Sequence, residues 1–377
     1  MAIRCVCRSS NPVQRKPEAI LSCAICSLSL CSVASQAPKE RKAGRPGSEA
    51  AVANQTADVV VAARGWQRQP HQYTTVAAAI AAAPANSDKR HVIHIKRGVY
   101  KEFVVVGQEK RNVVLVGDGM DATVISGSRC CADGYDTPGT AVLSVQGNGF
   151  IARDLCIENT AGPRKENGQA VALLSQSDQS VLYRCALRGY QDTLWCASPS
   201  SKQLYRECTI SGTVDFVFGD AAAVFQSCDI RARLPMQGQE NTITAQGRDR
   251  ADSDGGFCFQ SCTVAADEDL AARGAVVQTY LGRPWKPFSR VVFMQCTVSD
   301  VVDPRGWLPW ERQVPPDTLY YGEYGNEGPG AAVGGRVNWR GVHSNLDASE
   351  ACSFTVERFI KGNDWLPSTG VEYKPGL

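Results

Sequence analysis

Short apolar segments rich in Val, Ile, Leu and Phe alternate with Gly, Asp, Asn and Ser along most of the chain, and a helical period is hardly ever sustained. One stretch is an exception. Val76–Ala83 is apolar throughout and closed by Pro84, which predicts a helix. Beyond it, His91–Ile95, Val104–Val106, Val113–Val116 and Thr123–Ile125 predict strands, broken by Gly98, Gly107, Gly117 and Gly119. Strand-like segments then continue almost to the C-terminus.

Two spacings organise these segments. Leu182-Tyr183-Arg184-Cys185, Leu204-Tyr205-Arg206-Glu207-Cys208, Phe225-Gln226-Ser227-Cys228, Phe259-Gln260-Ser261-Cys262 and Phe293-Met294-Gln295-Cys296 repeat one pattern, with cysteine intervals of 23, 20, 34 and 34 residues. Gln169, Asp192 and Asp215 also follow one another at 23 residues, each in a short β-branched segment. Such repeats predict a solenoid in which each coil adds one rung, the longer intervals carrying an inserted loop. The fold class expected is all-β, a right-handed parallel β-helix. Its rungs lie ~4.8 Å apart, so the spacing would stack an amide and two carboxylates on one face. The cysteines read as a buried internal column without chemistry.

Asp is disfavoured in strands, and Val214-Asp215-Phe216 sets one between large apolar neighbours. A buried Asp must be paired, hydrogen-bonded or shifted in pKa. Either Asp alone also fits a side chain tied to a turn backbone. At matched positions beside Gln169 and Gln191, the two form a coupled pair that supplies an acid and a nucleophile together. Other chemistries lack their parts. Gly117-Asp118-Gly119-Met120-Asp121-Ala122 mimics a dinucleotide fingerprint, but a strand pattern follows where a helix is required. His91 and His94 would face opposite sides of a strand, no Cys-x-x-Cys remains beyond the first 36 residues, and no Gly-x-Ser-x-Gly occurs. No metal and no organic cofactor is expected.

Charge separates the chain into parts. Residues 1–50 carry eight basic and three acidic residues, leaving 32 basic and 35 acidic in the remainder. A near-neutral body argues against nucleic acid as a partner. Residues 1–17 are basic without an acid, and 19–35 form an apolar run ending in small residues. Residues 1–36 read as a secretory signal peptide, with a transit peptide or an uncleaved anchor as alternatives. Residues 37–64 read as a linker and 65–377 as the catalytic domain. Asn54-Gln55-Thr56 is a glycosylation sequon if the chain is secreted. Eleven of the 16 cysteines lie beyond the leader, an odd number that leaves at least one thiol unpaired within the chain.

Several segments together resemble the ordered motifs of the pectin methylesterases, the plant type especially: Gly98-Val99-Tyr100-Lys101-Glu102, Gln169-Ala170-Val171-Ala172-Leu173, Tyr190-Gln191-Asp192-Thr193-Leu194, the Gly212–Gly219 segment and Leu281-Gly282-Arg283-Pro284-Trp285. Thr244–Arg248 and Trp365–Val371 extend the match to roughly residues 65–377. The resemblance implies the same β-helix and a secreted, monomeric esterase acting on methylated pectin in the cell wall. A proteinaceous inhibitor is a further partner it implies, with no membrane association after leader cleavage. By motif, Asp215 corresponds to the nucleophile, Asp192 to the proton donor and acceptor, and Gln191 and Gln169 to the oxyanion stabilisers. Arg283 corresponds to the residue orienting the nucleophile. Thr137, Gln169, Arg283, Trp285 and Trp307 are then the substrate contacts, although Trp307 also fits packing under a loop and the surroundings of Thr137 depart from the family pattern. Cys208 and Cys228 fall where many plant members have a disulfide. Two further departures are Trp195, where Tyr or Phe is usual, and Asp220, where Asn is frequent. The stretch before the domain is too short for the inhibitor-like pro-region of many plant members, so the subgroup lacking it is expected. A glycosidase on the same solenoid, since paired carboxylates also suit that chemistry, and an inactive pectin-binding wall protein are the alternatives.

Overall fold

The computed structural model describes residues 56–63, 72–164, 166, 168–273 and 277–377. The leader and Asn54 lie outside the described residues. The described strands form three parallel sheets of 12, 8 and 7 strands, and from His91–Ile95 to Thr297–Val298 every third strand in chain order joins the same sheet. This is the expected parallel β-helix. One coil runs through Ser180–Tyr183, Ala186–Arg188 and Leu194–Cys196, and the next begins at Lys202–Arg206. Stacking sets Leu182 against Tyr205, Leu187 against Ile210 and Trp195 against Phe218.

The recurring cysteine pattern is the corner between the first and second sheets. Arg184, Glu207, Ser227, Ser261 and Gln295 all take left-handed backbone angles, φ 50° to 55°, and a cysteine follows each. A left-handed non-glycine residue costs ~1–2 kcal/mol. The following thiol compensates part of this by donating into the coil below: Cys208, Cys228, Cys262 and Cys296 reach the carbonyls of Leu182, Tyr205, Phe225 and Phe259 at 3.3–3.4 Å. Inside the corner Tyr205, Phe225, Phe259 and Phe293 stack with centroids 4.7, 4.4 and 4.4 Å apart. Cys208 and Cys228 are neighbours in this column and both are free thiols, so the disulfide implied by the resemblance is not formed. Each thiol donates to a carbonyl of the coil below.

The expected helix spans Val76–Ala82, capped by Thr75 and by the Glu102 carboxylate, which accepts from the amides of Val76 and Ala77. It buries Val76, Ala79 and Ile80 against the first coil and covers an otherwise open end of the core. Val59–Val61 is a strand pairing with Ile93–Ile95 and Gln72–Tyr73, so the linker expected over 37–64 ends sooner than residue 64. Residues 118–122 turn from the strand Val113–Gly117 into the strand Thr123–Gly127. Near the C-terminus Ala348–Cys352, Val356–Phe359 and Gly362–Trp365 are helical. Four or five residues are too few to display a helical period in sequence. They pack on the first sheet, and the Gln226 and Gln260 amides pin the tail after them by donating to the Lys374 and Gly376 carbonyls.

A free-thiol column has a direct check. Protein unfolded in guanidinium with iodoacetamide and no reductant should be alkylated at both Cys208 and Cys228 in a peptide mass map. A linked peptide would overturn the thiol assignment.

Candidate active site

The corner between the second and third sheets is where the carboxylates lie. Gly189 and Gly212 open it: a Cβ on Gly212 would lie 2.2 Å from the Phe216 Cβ, so the chain can turn this tightly only without a side chain there. Three residues later Asp192 and Asp215 take left-handed angles, φ 62° and 52°. Asp tolerates that region better than most residues, so one residue type serves both the turn and the cleft.

The ladder determines what lies opposite what. Leu194 pairs with Val217, which sets Asp192 and Asp215 in register on adjacent rungs (217 − 194 = 215 − 192). Leu173 pairs with Leu194 at an offset of 21 rather than 23, so Gln169 counts against Tyr190 and lies out of register with the carboxylates (194 − 173 = 190 − 169). The equal 23-residue spacing is therefore a true repeat for the Asp pair and coincidental for Gln169. Thr137, Gln169, Gln191, Asp192, Asp215, Arg283 and Trp285 nevertheless line one cleft of ≈ 370 Å³, together with Trp195, Phe218, Ala245, Trp310 and Glu311.

The two carboxylates differ sharply in their partners. Asp215, 6% exposed, takes a bidentate contact from Arg283, with Nε to Oδ1 at 2.8 Å and Nη2 to Oδ2 at 2.7 Å. Thr242, in register on the next rung, donates its hydroxyl to Oδ1 at 2.6 Å and accepts the Asp215 amide at 2.8 Å. Asp192 is 8% exposed, and no side-chain hydrogen bond holds its carboxyl among the described residues. Burial, then the charge of Asp215, push its pKa well above the usual carboxylate range, with Arg283 acting in the opposite direction. Burial works against the Arg283 charge, but the pairing with Asp215 prevails and raises its pKa. The pair thus combines a carboxylate fixed on three of its acceptor sites with a neighbouring carboxyl that holds its proton more tightly than an ordinary carboxylic acid. The side-chain amides of Gln169 and Gln191 have no hydrogen-bond partner among the described residues and remain available at the cleft.

Trp307 is the site assignment that fails. It is 1% exposed and stacks on Tyr321 at 4.1 Å. It bridges to Gly282, which belongs to the inward column Leu194, Val217, Thr244 and Gly282, so alternation points its ring into the core. Trp310 is three residues on, as Trp285 is three after Gly282, and it lines the cleft instead. Its ring stacks on the Arg283 guanidinium at 4.4 Å. A 25-residue offset, which relates both Gly282 to Trp307 and Trp285 to Trp310, was the available signal. Thr242 carried no signal apart from the register. Arg283 reaches Asp215 from two rungs away, passing the rung of Ala245, whose small side chain lies in the same column between Phe218 and Arg283.

The asymmetry predicts a pH effect on stability. Unfolded, Asp192 loses its proton near the ordinary carboxylate pKa of ~4; folded, its pKa is raised well above that. Folding therefore takes up a proton above that pH, and stability from this site is lost as pH rises toward the folded pKa. Asp192→Asn should gain Tm relative to wild type progressively as pH rises above ~4. A Tm difference independent of pH would show that Asp192 ionises normally in the fold.

Comparison with known proteins follows the same architecture. The Pectinesterase family model matches residues 58–363. A probable pectinesterase/pectinesterase inhibitor of Arabidopsis thaliana is 53% identical over 321 residues, covering 85% of this chain and 59% of that protein. The chain thus spans about three fifths of the length of the curated relatives it matches. Among solved structures, a pectin methylesterase from carrot is 45% identical with a TM-score of 0.81, covering 85% of this chain and 98% of the other. One from Aspergillus niger is 26% identical with a TM-score of 0.67, over 83% and 96%.

Proposed function

Because the chain belongs to the pectinesterase family, we propose that it hydrolyses the methyl esters of galacturonate residues in pectin, releasing methanol and acidic pectin. The observation that carries this reading is the contrast between Asp215, paired twice to Arg283, and Asp192, buried and unpaired. In the reaction an Asp215 carboxylate oxygen attacks the ester carbonyl carbon. Negative charge gathers on the former carbonyl oxygen, where the Gln169 and Gln191 amides donate. Asp192 gives its proton to the departing methoxy oxygen, methanol leaves, and an anhydride joins Asp215 to the sugar. Asp192, now a carboxylate, takes a proton from water as that water attacks the anhydride. Hydrolysis frees the acid product and restores both side chains.

Arg283 and Thr242 hold the attacking carboxylate in one orientation, and Arg suits the first role because its fork matches a carboxylate bidentately. Trp285 and Trp310 offer ring faces to the sugars, with Thr137 as a polar contact. Plant relatives named pectinesterase and the basic-then-apolar leader support a secreted protein of the cell wall.

Two variants test the roles. Asp215→Ala should lower methanol release from methylated pectin by roughly a thousandfold or more with an unchanged circular dichroism spectrum; activity within about tenfold of wild type would remove the nucleophile assignment. Gln191→Ala should cost roughly 2.7–4 kcal/mol in kcat, as loss of other oxyanion donors does. New reducing ends in place of methanol would identify a glycosidase instead.

A further inference from the structure

Gln169 reaches the cleft without the register that aligns Asp192 with Asp215, so other contacts must place it. Its coil leaves the second sheet at Asn159 and joins the third only at Leu173. Asn159 pairs with Gly127 in the coil below. One position beyond the Glu158–Arg188 and Arg188–Ser211 pairs, it counts against Gly189 and Gly212 in the two coils above. The column thus reads Gly127, Asn159, Gly189, Gly212, with one side chain among three glycines. That side chain is 2% exposed, and its amide nitrogen donates to three carbonyls: Arg129 at 2.9 Å, Thr140 at 3.2 Å and Val171 at 3.1 Å. Its Oδ1 accepts the Ala161 amide at 3.1 Å. Thr140, fully buried, completes the junction. Its hydroxyl donates to the Thr137 carbonyl at 2.6 Å and accepts the Val171 amide at 3.1 Å. The Gln169 carbonyl itself accepts from the Cys131 amide at 3.0 Å.

This junction joins two stretches that each send a side chain to the cleft. One is the 128–141 loop, which carries Thr137, and the other is the run from Gln169 to Val171. Neither lies within a strand. Backbone bonds from Ala170 and Ala172 to the Gln191 and Thr193 carbonyls fix the second stretch along the stack. The buried amide and hydroxyl fix it across the corner, against the loop. We propose that Asn159, with Thr140, is a positioning residue that sets where the Gln169 amide meets the developing oxyanion. This deepens the esterase reading and rests on it. An oxyanion donor acts only when it is already aimed at the place where charge develops, and the groups packed behind it keep that aim. Removing the Asn159 amide leaves three buried carbonyls short of a donor, and the two stretches are then free to part.

The test is a double-mutant cycle. kcat and KM for methanol release from methylated pectin are measured for wild type, Asn159→Ala, Thr140→Val, Thr140→Ser and Gln169→Ala. The first two changes are then repeated in the Gln169→Ala background. Alone, Asn159→Ala and Thr140→Val should each lower kcat roughly tenfold to a hundredfold, with KM within about threefold, the scale and signature of a misplaced catalytic group. Thr140→Ser keeps the hydroxyl and should recover most of that loss. With Gln169 already truncated, neither change should cost more than about twofold further, because the group they position is gone. Losses that multiply in the double variants overturn the proposal, since a general loosening of the fold acts on any background. An unchanged kcat in both single variants also overturns it. Where Asn159→Ala fails to fold, Thr140→Val, which preserves the side-chain shape, decides alone. Wild type that releases no methanol overturns the esterase reading, and full kcat in Gln169→Ala overturns the oxyanion role; either result removes this inference too.

Discussion

The parallel hydrogen-bond ladder is the constraint on which everything else depends. Because each coil must pair its backbone with the coils on either side, a residue's neighbours across the stack are determined by register and not by sequence distance. Asp192, Asp215 and Thr242 meet because they hold equivalent positions on successive rungs. Arg283 belongs to the next rung again, in the column of Trp195, Phe218 and Ala245, and folds back across that last residue. The chemistry of the cleft is a by-product of stacking: hydroxyl, carboxylate and guanidinium are brought within hydrogen-bond distance by a spacing the backbone already requires.

The same ladder permits irregular coils. The corner cysteines are spaced by 20 to 34 residues, yet the thiols of Cys208, Cys228, Cys262 and Cys296 each find a carbonyl of the coil below. Additional residues leave the stack as loops and return to it, so register in the three sheets survives insertions. Left-handed corner residues make such returns sharp, and the stacked rings of Tyr205, Phe225, Phe259 and Phe293 fill the space behind them.

Much of this was legible in the sequence, because a solenoid writes its period into the chain. The repeated cysteine pattern announced the coils, and the Asp pair stood out because strands rarely hold buried carboxylates. What was illegible was local offset. Gln169 shares the 23-residue interval but not the register, since its own coil advances by 21. Trp307 and Trp310 differ only in which side of the rung they face, and a segment without regular alternation does not reveal that. Thr242 looks like any other strand threonine until its rung is known. Cys208 and Cys228 are adjacent in the column and stand as free thiols, each donating to a carbonyl of the coil below.

The reach of Arg283 across the Ala245 rung has a consequence for how the molecule fails. A solenoid loses structure by unzipping from its ends, and each coil is secured only by its neighbours. The guanidinium and the carboxylate it orients sit in different coils, so peeling the coil that bears Arg283 would disarm Asp215 while the coils beneath it stayed intact. Turnover would then cease before the bulk of the β-signal did, making catalysis a sensor of the integrity of one stretch of the stack.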